Sequence, residues 1–392
     1  MKNIAVVSCY FIRNYGSVLQ SYATEKYIEN LGFNCQTVSV EELKPLLWQK
    51  KKEYFRSNFA DISLIMSKLP IIRLRVLEKL NFRGVGDQKK KREEYFESFC
   101  SRFNLTMENP SDFKQLSLLS SRFDAVLLGG DQLWRPDNIF PDYYTLNWVN
   151  PDVKRISLAT SFGVSKLDKR SGKAASEFLP LFSAISVREQ CGCEIVRRLS
   201  GKNALKACDP VFLLSQEEWE NLADESACPK EKYAFCYFLG NAKEKIKSIS
   251  ALCKRLGLKA VMLPNLDRYM PKCKDVDVIN ASPEQFLGLI KNADYIFTDS
   301  FHATAFSVIF GKGFLTFNRN GKKKHSTDSR LVSFLESADK MSCLARSSDT
   351  DEIYNQLKAI KVSDGLSNLN SEIEKTKNYL KENLMSEESV NV

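Results

Sequence analysis

Between Tyr295 and Phe317 the chain reads YIFTDSFHATAFSVIFGKGFLTF. An apolar strand over Tyr295–Asp299 runs into Thr298-Asp299-Ser300, and a helix opens at Phe301-His302. Gly311 and Gly313 stop that helix, and Phe314–Phe317 is strand again. Two strands joined by a helical crossover lie parallel, and a parallel sheet needs apolar cover on both faces. This unit places the chain in the α/β class, whose ligands bind just beyond the carboxyl ends of the strands. His302, one of only two histidines, stands at such an end. The free N–H groups and the positive dipole end of its helix favour an anion there. Asp299 and Ser300 are both suited to cap the helix. A lone histidine is usually a satisfied core residue, but the strand-to-helix position argues for a site residue.

The alternation continues on both sides. Asn3–Ser8, Asn34–Val40, Phe123–Leu128, Arg155–Ala159 and Ala184–Val187 read as buried strands, and Ser17–Leu31 has helical spacing. Asp209-Pro210 and the polar stretch Ser215–Lys232 mark a boundary, after which Tyr233–Leu239 and Ala260–Leu263 restart the pattern. The expected organisation is one Rossmann-like domain over residues 1–208, with a basic helical insert at about 44–92. A second such domain covers 209–365, and a C-terminal helix and tail cover 366–392. Two Rossmann-like domains facing a cleft and closed by a C-terminal helix make a GT-B-like architecture.

Composition excludes several classes. Hydrophobic residues are 43% and charged residues 27% of the chain, as in a soluble protein with a large core. No apolar run is long enough to span a bilayer. The start, MKNIAVVSCYF, is too brief and lacks a cleavage site, so it reads as a strand rather than a signal peptide. The eleven cysteines are scattered without any CxxC, and the one close pair, Cys191 and Cys193, lacks partners for zinc. Reduced thiols, no metal and a cytoplasmic protein are therefore expected. The net charge of +9 is concentrated: Lys44 to Arg92 holds fourteen Lys or Arg against four acidic residues. Apolar residues are interleaved there, which suits solvated helical faces or peripheral contact with an anionic membrane. Nucleic acid is not expected, because no recognition motif accompanies the charge.

Other strand ends carry candidate chemistry. In GGDQLW, Gly130 lets a ligand approach the backbone, Asp131 could orient or deprotonate a sugar hydroxyl, and Trp134 could stack on a sugar face. A tight turn with a capping Asp and a core Trp accounts for that motif equally well. Asn14-Tyr15-Gly16-Ser17 is a similar turn, without the spaced glycines of a dinucleotide site. Arg188 could pair with a substrate carboxylate or phosphate, or form a salt bridge to Glu189 or a neighbour. Arg319 and Arg330, read as loop residues after the Phe314 strand, are further anion candidates.

The succession NYGSVLQSYA, LLGGDQLWRP, ISLATSFG, SVRE, DPVFLL and FTDSFHATAFSVIFGKGFLTFNR resembles the polysaccharide pyruvyl transferase family over nearly the whole chain. The resemblance implies transfer of a pyruvyl group from phosphoenolpyruvate to sugar hydroxyls of a cell-surface glycan precursor, free or lipid-linked, without metal or prosthetic group. It implies donor contacts at Arg188 and His302; Thr298, Ser300, Arg319 and Arg330 join them as donor candidates from their own positions in the chain. Asn14, Tyr15, Gly16, Gly130 and Trp134 would face the acceptor in the first domain, with His302 and Asp131 as the catalytic pair. One departure concerns Ser300-Phe301-His302, where ketal-forming members often carry Arg-Leu-His. A cation is thus absent at Ser300: either Arg319, Arg330 or a lysine replaces it, or the donor differs. A nucleotide-sugar glycosyltransferase and a non-catalytic glycan-assembly protein are the alternatives.

Overall fold

A computed structural model describes residues 1–57, 85–240, 242–265, 275–319, 326–360 and 365–385. They form two compact units. Unit 1 comprises Met1–Ala60, Ser101–Leu214 and Asn370–Val392; unit 2 comprises Asp61–Cys100 and Ser215–Leu369.

The sheet of unit 1 is parallel throughout and ordered β2-β1-β3-β4-β5-β6. Its strands are β1 (Asn3–Val7), β2 (Asn34–Thr37), β3 (Ala125–Leu128), β4 (Lys154–Thr160), β5 (Ala184–Val187) and β6 (Leu205–Lys206). Central β3, AVLL, is buried at every residue, as a strand covered on both faces must be. The chain leaves β1 toward β2, then returns to build β3 on the opposite side of β1. The carboxyl ends of β1 and β3 therefore flank a switch point, where open α/β sheets place their ligands.

Unit 2 repeats the plan with order β11-β10-β7-β8-β9, again all parallel. Here β7 is Tyr233–Tyr237, β8 Lys259–Leu263, β9 Asp277–Val278, β10 Tyr295–Thr298 and β11 Gly313–Thr316. Its switch point lies between β7 and β10. Local signals delimit the helices: Ser282 and Gln285 form a capping box ahead of Pro283–Asn292, and left-handed Gly201 and Gly257 end two others. The expected strands are all present, and the short edge strands β6 and β9 add to them.

Three features depart from the expected organisation. The first unit closes at Leu214 rather than near 208, because Asp209 and the turn after it stay bound within unit 1. The last helix, Leu366–Met385, belongs to unit 1 from Asn370 onward. There the Thr376 hydroxyl accepts from Cys208 N at 3.0 Å, Tyr379 donates to Ser157 O at 2.9 Å, and Lys2 Nζ donates to Leu384 O at 2.9 Å. The basic segment is also divided. Helix Lys44–Ser57 is part of unit 1, helix Val85–Cys100 is part of unit 2, and residues 58–84 lie outside the described residues.

Arg92, expected on a charged surface, is instead a structural residue. Its Nε donates to Asn280 Oδ1 at 2.8 Å and another guanidinium nitrogen to Pro264 O at 2.6 Å. Asn280 in turn donates to Gln88 O at 2.7 Å, tying the helix to the strand ends of unit 2. Arg92→Ala strands these buried acceptors, which typically costs about 2 kcal/mol. It should lower the thermal midpoint by circular dichroism, whereas exposed Lys90→Ala should leave it unchanged.

Candidate functional site

In unit 1 the turn after β3 is built by close approach. A Cβ on Gly130 would fall 2.9 Å from both Gln20 Oε1 and Pro210 Cδ, so only glycine fits without a shift. Asp131 follows with φ 75°, the left-handed region that Asp tolerates better than most residues. Its Oδ2 accepts from Ser17 Oγ at 2.6 Å and lies 3.7 Å from Cys9 Sγ. Burial, and next the Asp131 charge, push the Cys9 thiol well above its ordinary pKa, so it remains protonated. Ser17 is held in turn: its N–H donates to Asn14 Oδ1 at 3.2 Å, the N-cap of helix Tyr15–Asn30. One latch thus joins the strand ends of β1 and β3.

A bulge at the end of β4 shapes the adjoining wall. The register with β5 shifts between Ser157 and Thr160, and Ala159 adopts φ 50°. Ser161 then donates to Glu189 Oε1 at 2.6 Å. The sequence had suggested Glu189 as a partner for Arg188. The structure pairs Arg188 with Asp209 at 2.8 Å, with side-chain exposures of only 5% and 0%. Burial works against the Arg188 charge, but Asp209, then Asp131 and Glu189, outweigh it and hold the guanidinium more firmly protonated than usual. Around this arginine, acid outnumbers base.

Two residues expected to meet the acceptor are core residues instead. Trp134 is wholly buried, packs against Phe162, Phe178 and Phe182, and donates Nε1–H to Tyr144 O at 3.1 Å. Tyr15 is buried at the first position of its helix, and Gly16 beside it is buried too. Neither ring is presented for stacking on a sugar.

The switch point of unit 2 is organised by Asp299. Its two carboxylate oxygens accept from the N–H groups of Leu239 (2.6 Å) and Gly240 (3.0 Å), just past β7. Asp299 thus secures the neighbouring strand end, and Ser300 caps helix Phe301–Ile309, accepting from Ala303 N. Thr298 is spent on structure, donating to Tyr237 O at 2.6 Å and accepting from Ser300 N at 2.9 Å. His302, 7% exposed, is the second residue of that helix. Arg319 donates to Asp299 O at 3.1 Å, and its Nε lies 3.9 Å from Asp299 Oδ1. A Cβ on Gly240 would come within 2.8 Å of Arg319 Cγ, so this glycine makes room for the arginine.

Lys245, which the sequence reading passed over, also lies at this end. It donates to Asn318 O at 2.9 Å and sits over the Phe238 and Phe317 rings at 5.7 and 5.4 Å. Its only signal was a position shortly after Gly240. Arg330 is half-buried on helix Ser326–Ser337 rather than in a loop. Lys322, Lys323, Lys324 and His325, a further run of basic residues in the sequence, lie outside the described residues. The donor candidates are therefore divided, Arg188 in unit 1 and Thr298, Ser300, His302, Arg319 and Arg330 in unit 2. Among the described residues, no cluster of His, Cys, Asp or Glu could hold a metal ion. None of their helices is long and apolar enough to cross a membrane.

Two α/β units, each built on a parallel sheet with a strand-order switch point, define a GT-B-like protein. Solved structures agree on the fold. A UDP-N-acetylglucosamine 2-epimerase from Rickettsia bellii matches with a TM-score of 0.55 and 11% identity, over 98% of this chain and 95% of the other. The UDP-GlcNAc 2-epimerase from Neisseria meningitidis, bound to UDP-GlcNAc, matches with a TM-score of 0.53 and 13% identity, over 98% and 100%. No curated protein matches in sequence. The polysaccharide pyruvyl transferase family model matches residues 14–321, and the chain belongs to that family of transferases.

Because Trp134 is a core residue, Trp134→Ala should unfold unit 1 rather than weaken sugar binding. Truncating a buried tryptophan costs about 3–5 kcal/mol. Chemical denaturation followed by near-ultraviolet circular dichroism should show the loss. A native-like transition with weakened saccharide binding would return the residue to the acceptor site.

Proposed function

We propose that this protein transfers the pyruvyl group of phosphoenolpyruvate to two hydroxyls of one sugar in a cell-surface glycan precursor, forming a cyclic ketal. The observation that carries this reading is the strand-end site of unit 2. A buried histidine opens a helix whose dipole favours an anion, and Arg319 and Lys245 lie at the same strand ends. Those two cations offset the missing arginine at Ser300. The donor carries a carboxylate and a phosphate, so this is the end suited to hold it.

The reaction needs few parts. A proton goes to the methylene carbon of the donor, making it a methyl group, and a sugar hydroxyl attacks the adjacent carbon. The C–O bond to phosphate breaks, and a second hydroxyl of the same sugar closes the ring. The two hydroxyl protons are balanced by one gained at carbon and one carried off by phosphate. His302 serves the carbon or the leaving phosphate as the group that delivers the proton. Asp131 takes a hydroxyl proton, with Ser17 holding its other oxygen in place. Unit 1 suits a neutral polyol: carboxylates surround Arg188, and Asp131 offers an acceptor for sugar O–H groups.

Ser300 favours one second reading, a glycosyltransferase using a nucleotide sugar, because it removes a cation expected of a ketal-forming enzyme. Mass spectrometry of the protein mixed with phosphoenolpyruvate and a galactose-bearing acceptor decides between them. The ketal mass increment with phosphate release is expected. Absence of both, with tight nucleotide binding, would favour the second reading.

His302→Ala should lower turnover roughly a hundred- to ten-thousand-fold while the melting temperature stays near wild type. A melting point far below wild type would make His302 a packing residue. Asp131→Asn should keep the left-handed turn, which asparagine tolerates, yet lose turnover at all pH values. Full activity in this variant would exclude Asp131 as the base.

A further inference from the structure

One face of unit 1 lies outside this chemistry. Helix Lys44–Ser57 turns Leu46, Leu47, Tyr54 and Phe55 at least partly inward and leaves Trp48, Lys52 and Arg56 exposed at i, i+4 and i+8. Trp48 is 60% exposed, whereas Trp134, Trp148 and Trp219 are each 7% exposed or less. The inner side of the helix is fastened: Lys51 Nζ reaches Asp137 Oδ2 at 3.1 Å, and the Tyr54 ring lies 4.7 Å from that of Phe140. Phe140 also carries the Arg170 guanidinium, 3.6 Å from its ring centre. Arg170 brings exposed Lys169 and Lys173 of helix Lys169–Phe178 to the same neighbourhood.

Opposing charge in this neighbourhood is largely committed. Asp137 is shared by Lys51 and Arg135, each at 3.1 Å, and these hold its carboxyl below the usual range against the effect of burial. Asp168 accepts from the N–H groups of Arg170 and Ser171, both at 2.9 Å. Glu53 on the first helix and Glu177 on the second, four residues after Lys173, are exposed acids of the two helices, against the five cations Lys52, Arg56, Lys169, Arg170 and Lys173. An indole projecting from a helix among cations is the arrangement that anchors proteins at a lipid headgroup layer.

We propose that this two-helix face docks unit 1 on an anionic lipid bilayer, with the Trp48 indole seated among the headgroups. The proposal places the contact at Trp48, Lys52, Arg56, Lys169, Arg170 and Lys173, all in unit 1, and excludes the buried Arg92. It stands independently of the donor chemistry, because it concerns where the protein sits and not what it transfers.

The full-length protein is mixed with vesicles of phosphatidylglycerol and phosphatidylcholine in equal parts, or of phosphatidylcholine alone, some with brominated acyl chains. Binding is read by co-sedimentation and contact by quenching of tryptophan fluorescence, which reports Trp48 because the other indoles are buried. The protein should bind the anionic vesicles more tightly, less so as salt rises, and brominated chains should quench it. Trp48→Phe should abolish the quenching. Each basic residue near an anionic surface contributes about fivefold in affinity, so Lys52→Gln with Arg56→Gln should weaken binding at least roughly tenfold. The same charge change at exposed Lys247 and Lys254 of unit 2 should have little effect.

Equal binding to phosphatidylcholine alone, absence of binding, or sedimentation without quenching would overturn the proposal. So would quenching that survives Trp48→Phe, or equal losses in the two double variants. Tight binding to a short RNA with no quenching by brominated vesicles would make the face a polyanion surface instead.

Discussion

Beyond β7 and β10 the sheet of unit 2 ends, and two backbone N–H groups at Leu239 and Gly240 no longer have a strand to bond. Asp299 collects both with one carboxylate. Hydrogen bonds of this charged kind are about twice as strong as neutral ones, and leaving such donors unpaired under burial is costly. The rest of the site depends on that contact. It fixes the turn before helix Phe301–Ile309, lets Ser300 take the cap, and gives Arg319 both a carbonyl and a carboxylate to lean on. A single buried acid therefore sets the positions of the histidine and of one cation.

The same topological position in unit 1 is closed with different chemistry. There Asp131 joins two strand ends through a hydroxyl and a thiol rather than through backbone amides. Its carboxylate stands among other acids, with Arg188 held by Asp209. Unit 2 brings cations to its switch point instead. Equivalent places in two similar sheets thus carry opposite electrostatic character, and an asymmetry of this kind separates a polyol from a polyanion. The proposed division into acceptor and donor sides follows from charge, not from fold.

Much of the fold was legible because parallel strands buried on both faces leave continuous apolar runs, as in AVLL of β3 and YIFT of β10. The two-residue strands β6 and β9 left no such run and had no signal. Glycines that admit close approach, such as Gly130, were readable by type, but their neighbours Gln20 and Pro210 were not. Side-chain direction was the main loss. Trp134 and Tyr15 sit in motifs beside the site, and no local pattern says that each ring turns inward. Asp209 looked like punctuation before a proline; only the pairing of β5 with β6 brings it to Arg188. Arg92 was hidden in a basic run because charge density is visible in a sequence while burial is not.

The last helix has a consequence for how the molecule assembles. Unit 1 is built from the beginning, the middle and the end of the chain, and its final pieces are Thr376, Tyr379 and the carbonyl of Leu384. During synthesis, which proceeds from the N-terminus, the strands of unit 1 emerge before these contacts can form, because residues 376–384 follow all of them in the chain. Unit 2, whose described strands all precede Leu369, has its segments in hand sooner. The strands of unit 1 are thus made well before the contacts that secure them. Throughout that interval the β1 and β4 region relies on partners still inside the ribosome.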